Sequence, residues 1–177
     1  MPKSLLHLCS ADNPQILKRM DAHAVACLVG SQRYLLPLTR VVEIAPTVHF
    51  TPIPTLPAPI RGYIQFRGLP IAVVDLAMRL GVEAPAHERL DDHLVIVMLS
   101  DRTIALRVDR VTELVEYPIV PQPLEHSAQP LAGIVPGPEG CSVIVDLEAL
   151  LDLEQRHDAD QALAELSRTP QPHRPSA

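Results

Sequence analysis

The chain has 177 residues, enough for one ordinary domain or two small ones, and 47% of them are hydrophobic, so a real core can form. Aromatics make up only 3% and tryptophan is absent, so Val, Ile, Leu and Ala must fill that core. The formal net charge of -6 argues against nucleic-acid binding, which needs clustered Lys and Arg to neutralise phosphates.

Residues 1–21 read as a peripheral segment, with Asn13 and Pro14 suited to the N-cap and first position of a short helix. Pro2, Asp12, Asn13 and Pro14 interrupt any signal-peptide pattern, and no apolar run approaches the ~20 residues of a membrane helix. A cytoplasmic protein is expected. His23–Val29, the turn signal Gly30-Ser31-Gln32-Arg33 and Tyr34–Leu38 predict a β-hairpin. Val41-Val42-Glu43-Ile44 follows. Pro46, Pro52, Pro54, Pro57 and Pro59 then exclude a helix or a central strand. Gly62–Arg67 and Ile71–Val74 are strand candidates. Asp75 can cap a short helix, Leu76 to Leu80, that ends on Gly81.

The second half repeats this order. His93–Leu99 and Arg102–Val108 predict a hairpin across Ser100-Asp101. Val111–Val115 precedes Pro118, Pro121 and Pro123. Leu131–Val135, the turn Gly137-Pro138-Glu139-Gly140 and Ser142–Val145 complete the strands. Asp146 can cap a helix through Leu151. Residues 158–177 are expected to be a helix end and a disordered, proline-rich tail.

The parallel is an internal repeat. Arg40-Val41-Val42-Glu43-Ile44 matches Arg110-Val111-Thr112-Glu113-Leu114. Pro52-Ile53-Pro54 matches Pro121-Gln122-Pro123, Gly62 matches Gly133, and Val74-Asp75-Leu76 matches Val145-Asp146-Leu147. The spacing stays near 70 residues. About five short strands per copy suggest a small, partly closed β-barrel. Such a barrel is marginal alone, so two of them sharing an apolar seam are expected over residues 22–157.

Catalytic patterns are weak. Asp75 and Asp146 invite a two-lobed aspartyl hydrolase, in which two carboxylates share a proton. Each is followed by Leu and a helical pattern, so a helix cap is the better reading. His87, Asp91, Asp92 and His93 could hold a metal, but they sit in a polar stretch that reads as a solvated loop. Cys9, Cys27 and Cys141 are widely spaced and read as small hydrophobes. No phosphate loop, nucleophile elbow or His-Glu-x-x-His occurs. The chain is expected to be no enzyme and to need no cofactor or metal. What stands out is Glu43 inside an apolar run, and Arg67 before Gly68, where a guanidinium has open access to a partner.

The ordered motifs resemble the CheW family. Gly62-Tyr63-Ile64-Gln65-Phe66-Arg67-Gly68-Leu69-Pro70-Ile71-Ala72-Val73-Val74-Asp75-Leu76 looks like its Gly-x-x-Asn-x-Arg-Gly-x-x-x-Pro-Val-x-Asp-Leu signature. Val41-Val42-Glu43-Ile44 looks like its Val-x-Glu-Ile, and Val108-Asp109-Arg110-Val111 like its Val-Asp-x-Val. The likeness spans about residues 22 to 155. It implies an all-β fold of two pseudo-symmetric, five-stranded SH3-like β-barrel subdomains with short helices. It also implies a non-catalytic adaptor between the cytoplasmic tip of chemoreceptors and the regulatory domain of a CheA-type histidine kinase, able to join rings with such domains. The binding positions it implies are Val41, Glu43, Phe66, Arg67 and Gly68. Gln65, Phe66, Pro70 and Ala72 depart from the family pattern. These changes beside Arg67 leave open an adaptor for another pathway, such as type IV pili or cyclic-dinucleotide control.

Overall fold

The computed structural model describes residues 23–50, 56, 59–83, 91–117, 130–137 and 140–151. The expectations at Cys9, Asn13-Pro14, Pro52, Pro54, Pro57, His87, Pro118, Pro121, Pro123, Pro138-Glu139 and residues 152–177 lie outside them.

Among the described residues, ten strands and one short helix follow in chain order: β1 (His23–Val29), β2 (Gln32–Pro37), a 3-10 turn (Leu38–Arg40), β3 (Val41–Pro46), β4 (Ile60–Phe66), β5 (Leu69–Asp75), α1 (Leu76–Leu80), β6 (His93–Met98), β7 (Thr103–Val108), β8 (Arg110–Glu116), β9 (Leu131–Gly137) and β10 (Gly140–Val145). They form two five-stranded sheets, ordered β8-β1-β2-β10-β9 and β3-β6-β7-β5-β4. Replacing each strand of one sheet by its repeat-related strand gives the other. The fold is thus two SH3-like subdomains of matching topology.

The sheets do not coincide with the sequence copies. Each copy's hairpin pairs with strands of the other copy. The β1–β2 hairpin joins β8, β9 and β10, and the β6–β7 hairpin joins β3, β4 and β5. The exchange is made on one side of each hairpin by antiparallel pairing, β1 with β8 and β6 with β3, and on the other by parallel contacts, Tyr34 opposite Val143 and Val73 opposite Ala105. Neither subdomain can therefore form from a single continuous copy.

Alternation along the central strands divides the core into three layers. Val25, Cys27, Val29, Tyr34, Leu36, Val74, Val95, Val97, Leu106 and Val145 face a seam shared by both sheets. On the opposite faces, Ile71, Val73, Leu94, Ile96 and Ala105 fill one subdomain, and Ala24, Ala26, Leu35 and Ile144 fill the other. The two interiors compensate in volume. Leu94 and Ile96 surround Ala105, whereas their repeat mates Ala24 and Ala26 surround Leu35. Close packing allows such exchanges only when the total volume is kept.

Asp75 and Asp146 stand at matching corners. Their backbone N–H groups donate to Pro59 O at 3.0 Å and Pro130 O at 2.8 Å. Asp75 Oδ1 accepts from Met78 N at 3.1 Å and caps α1, which ends on Gly81 at φ 64°. Asp146 Oδ1 accepts from Glu148 N at 3.0 Å and Ala149 N at 3.2 Å. The helix expected after Asp146 is instead a capped turn through Leu151. Arg79 of α1 donates to the carbonyls of Leu150 and Ala149. This contact ties the two subdomains together.

Candidate protein-binding site

The site begins with an irregularity in β3. Val41 lies opposite Val97 and Glu43 opposite Ile96, so Val42 is an extra residue in the ladder. The same bulge occurs in β8, where Val111 lies opposite Cys27, Glu113 lies opposite Ala26, and Thr112 is extra. A bulge bends an edge strand and re-aims the next side chain. The repeated Arg-Val-x-Glu string therefore encodes a bulged edge strand that turns a glutamate outward.

Arg67 comes from the tip of the β4–β5 hairpin. Phe66 pairs with Leu69, leaving Arg67 and Gly68 as a two-residue loop. Their φ values, 51° and 82°, are both positive, the pattern of a type I′ turn. Glycine adopts this conformation freely. An arginine there carries a cost of about 1 kcal/mol, and among the described residues no other non-glycine has a positive φ. Strain of this kind collects where a side chain has a task.

β3 and β4 are the two edges of their sheet, and Glu43 and Arg67 meet across them. Arg67 Nη2 lies 3.3 Å from Glu43 Oε2. The guanidinium also sits over the Phe66 ring, 4.9 Å from its centre. The arginine side chain remains 64% exposed, so the pair contributes about 0–1 kcal/mol to stability. Its structural value is orientation. Among the described residues its guanidinium hydrogen-bonds only to Glu43, through Nη2, so Nε and Nη1 keep donors to offer. Leu69 beside it is 68% exposed and Ile44, next to Glu43, 42%. The site is a charged clasp with an apolar rim.

Among the described residues, the other subdomain carries no such clasp. Glu113 pairs with Arg33 of β2 at 2.9 Å, and the position matching Arg67 is Pro138.

Of the expected binding residues, Glu43, Phe66, Arg67 and Gly68 gather at this clasp. Val41 does not: its side chain packs against the shared seam. Leu69 and Ile44 escaped the sequence reading because isolated apolar residues in strand patterns look like core. Only the register shows them facing water.

A second ionic group corrects an expectation. Asp92 is not in a solvated loop; it is buried, together with Arg107 and Asp75. Arg107 Nη1 donates to Asp75 Oδ2 at 2.6 Å. Nη2 and Nε donate to Asp92 Oδ2 at 2.6 and 3.0 Å. Burial lowers the affinity of Arg107 for its proton, but hydrogen bonds and charges from Asp92 and Asp75 outweigh this and raise its pKa. Asp75 therefore serves Arg107 and the α1 cap at once. Burial, and secondarily Asp109, pushes the Cys27 thiol up to about 12. Among the described residues no group of three His, Cys, Asp or Glu could hold a metal ion. No helix among them is long and apolar enough to cross a membrane.

The family model of the CheW-like domain matches residues 23–155, well over half of the chain. The chain belongs to that family. It is 31% identical over 90 residues to the chemotaxis protein CheW of Rhizobium meliloti, covering 51% of this chain and 57% of that protein. It is 23% identical over 104 residues to the chemotaxis protein CheW of Helicobacter pylori, covering 59% of each. The aligned part thus spans less than two thirds of these curated relatives. The crystal structure of the scaffolding protein TtCheW from Thermoanaerobacter tengcongensis superposes with a TM-score of 0.69 at 25% identity, covering 76% of this chain and 90% of that one.

Proposed function

We propose that this chain is a non-catalytic adaptor that couples cytoplasmic chemoreceptor tips to the regulatory domain of a CheA-type histidine kinase. The observation that carries this reading is the Glu43–Arg67 clasp. A guanidinium is held in a strained turn, with free donors and an exposed leucine beside it. Arginine flanked by apolar surface is the composition of an interface centre. The relatives named chemotaxis proteins and the neighbour named a scaffolding protein support the choice of partner. Calorimetric titration with the kinase regulatory domain tests it. Micromolar binding is expected, with a loss of about tenfold or more on Arg67→Ala. Equal binding by the two proteins would sink the reading.

A second reading, an adaptor of a pilus or cyclic-dinucleotide pathway, is favoured by the altered residues Gln65, Phe66 and Pro70 around Arg67, of which Gln65 is exposed. Parallel titrations with kinase domains and receptor tips of each pathway would separate the two.

A further inference from the structure

We infer that Phe66 is a positioning residue for Arg67, and that its ring fixes the direction in which the guanidinium is offered. The inference rests on the reading of Arg67 as a binding residue and deepens it. Three restraints act on one exposed side chain. The turn fixes the Arg67 backbone in a left-handed conformation. Glu43 holds one end of the guanidinium at 3.3 Å. Its central carbon, Cζ, sits over the Phe66 ring, 4.9 Å from the ring centre.

The first two restraints leave a degree of freedom. A guanidinium held by a single nitrogen can still rotate about that contact, because arginine has several rotatable bonds. A ring beneath its face removes the rotation: a planar cation lying on an aromatic face keeps its N–H edge pointing outward, parallel to the ring. Phe66 can supply a fixed plane because its own side chain is anchored. It packs with Val42, Phe50 and Ile64 against the buried residues Ile71, Val73, Leu94, Ile96 and Ala105. A rigid interior thus extends through one ring to an exposed recognition group. The entropy of ordering Arg67 is spent before any partner arrives, which is how preorganisation raises affinity. An aliphatic residue could fill the same interior position but could not present a π face.

The test combines a partner-free signature with a coupling measurement on the full chain. In NMR spectra of the free protein, the Arg67 Nε–Hε proton is expected to shift upfield in the ring current, and to lose that shift in Phe66→Leu and keep it in Phe66→Tyr. An unshifted resonance in the wild type would overturn the inference even if no variant folds. In titrations with the kinase regulatory domain, Phe66→Leu is expected to weaken binding about two- to fivefold, the range of an exposed cation–π contact, and Phe66→Tyr to restore it. In an Arg67→Ala background, Phe66→Leu is expected to change nothing. An equal loss in both backgrounds would show that Phe66 touches the partner directly and would overturn the positioning role. If Arg67→Ala weakens binding while Phe66→Leu does not, the inference fails and the binding role of Arg67 stands. If Arg67→Ala itself binds normally, the binding role fails, and the NMR signature alone judges the stacking.

Discussion

Replacing Arg107 by alanine leaves Asp75 and Asp92 buried without the cation that both of them bind. The contacts are short, 2.6 Å to each carboxylate, and all three side chains are at most 7% exposed. Removing one member of such a group is expensive because the remaining charges stay desolvated, and the cost is about 3–5 kcal/mol. A domain of this size has about 5–15 kcal/mol in total, so much of the margin would go. The melting temperature should fall by roughly 6–20 °C, at about 2–4 °C per kcal/mol. Urea unfolding followed by circular dichroism at pH 7 reads this as a lower midpoint with an unchanged slope. A triple variant, Arg107→Met with Asp75→Asn and Asp92→Asn, should recover part of the loss, because no buried charge remains and asparagine still caps α1. The raised Arg107 pKa gives stability that is present below the ordinary arginine range and lost only above it, so this contribution is flat around neutrality. A cost for Arg107→Ala below about 1 kcal/mol, the range of an exposed pair, would refute the reasoning.

Three further outcomes are expected. Cys27 is fully buried and its Sγ donates to Tyr34 O at 3.6 Å, so peptide mapping after brief alkylation at pH 8 should show Cys141 modified and Cys27 intact. Its raised pKa contributes stability that is fully present below the ordinary thiol range of about 8.5 and is lost as pH rises toward about 12; Cys27→Val should flatten that decline in an alkaline denaturation series. Gly68→Ala meets no atom within 4 Å at the added Cβ, so its cost is backbone strain alone, about 1 kcal/mol in thermal unfolding, and Gly68→Asn should be milder because asparagine tolerates the left-handed region.

The strands were legible in the sequence because the central ones are buried on both faces and read as short apolar runs between turn signals. β1 was found at the bounds it has, and the other strands to within a few residues. Asp75 and Gly81 were legible as a cap and a closing glycine because each acts within its own turn. What stayed hidden depends on distant partners. Asp92 looked solvated beside Asp91, and only its placement against Arg107 on the next strand makes it a core residue. Asp146 reads as a helix cap, and its Oδ1 does accept from Glu148 N and Ala149 N, but over a turn rather than a helix. The repeat was visible, but the exchange of hairpins was not. Pairing a hairpin with its own copy or with the other buries the same residue types, so composition cannot choose between them.

The exchange is the same in both subdomains, yet their repeat-related corners differ in what answers the glutamate. Both copies spend their Val-x-Glu string on a bulged edge strand, so both subdomains offer an outward glutamate at the same corner. The difference lies in what answers it. Glu113 is met by Arg33 of β2, 28% exposed, two strands away across the sheet face. Glu43 is met from the opposite edge by Arg67, more than twice as exposed, on a turn that spends conformational energy to place it there. Because each subdomain needs strands from both copies, neither corner can be lost without unfolding the shared seam. Divergence after duplication then needs only a change at the hairpin tip, arginine and glycine in one copy and proline in the other, to make two equivalent corners chemically distinct.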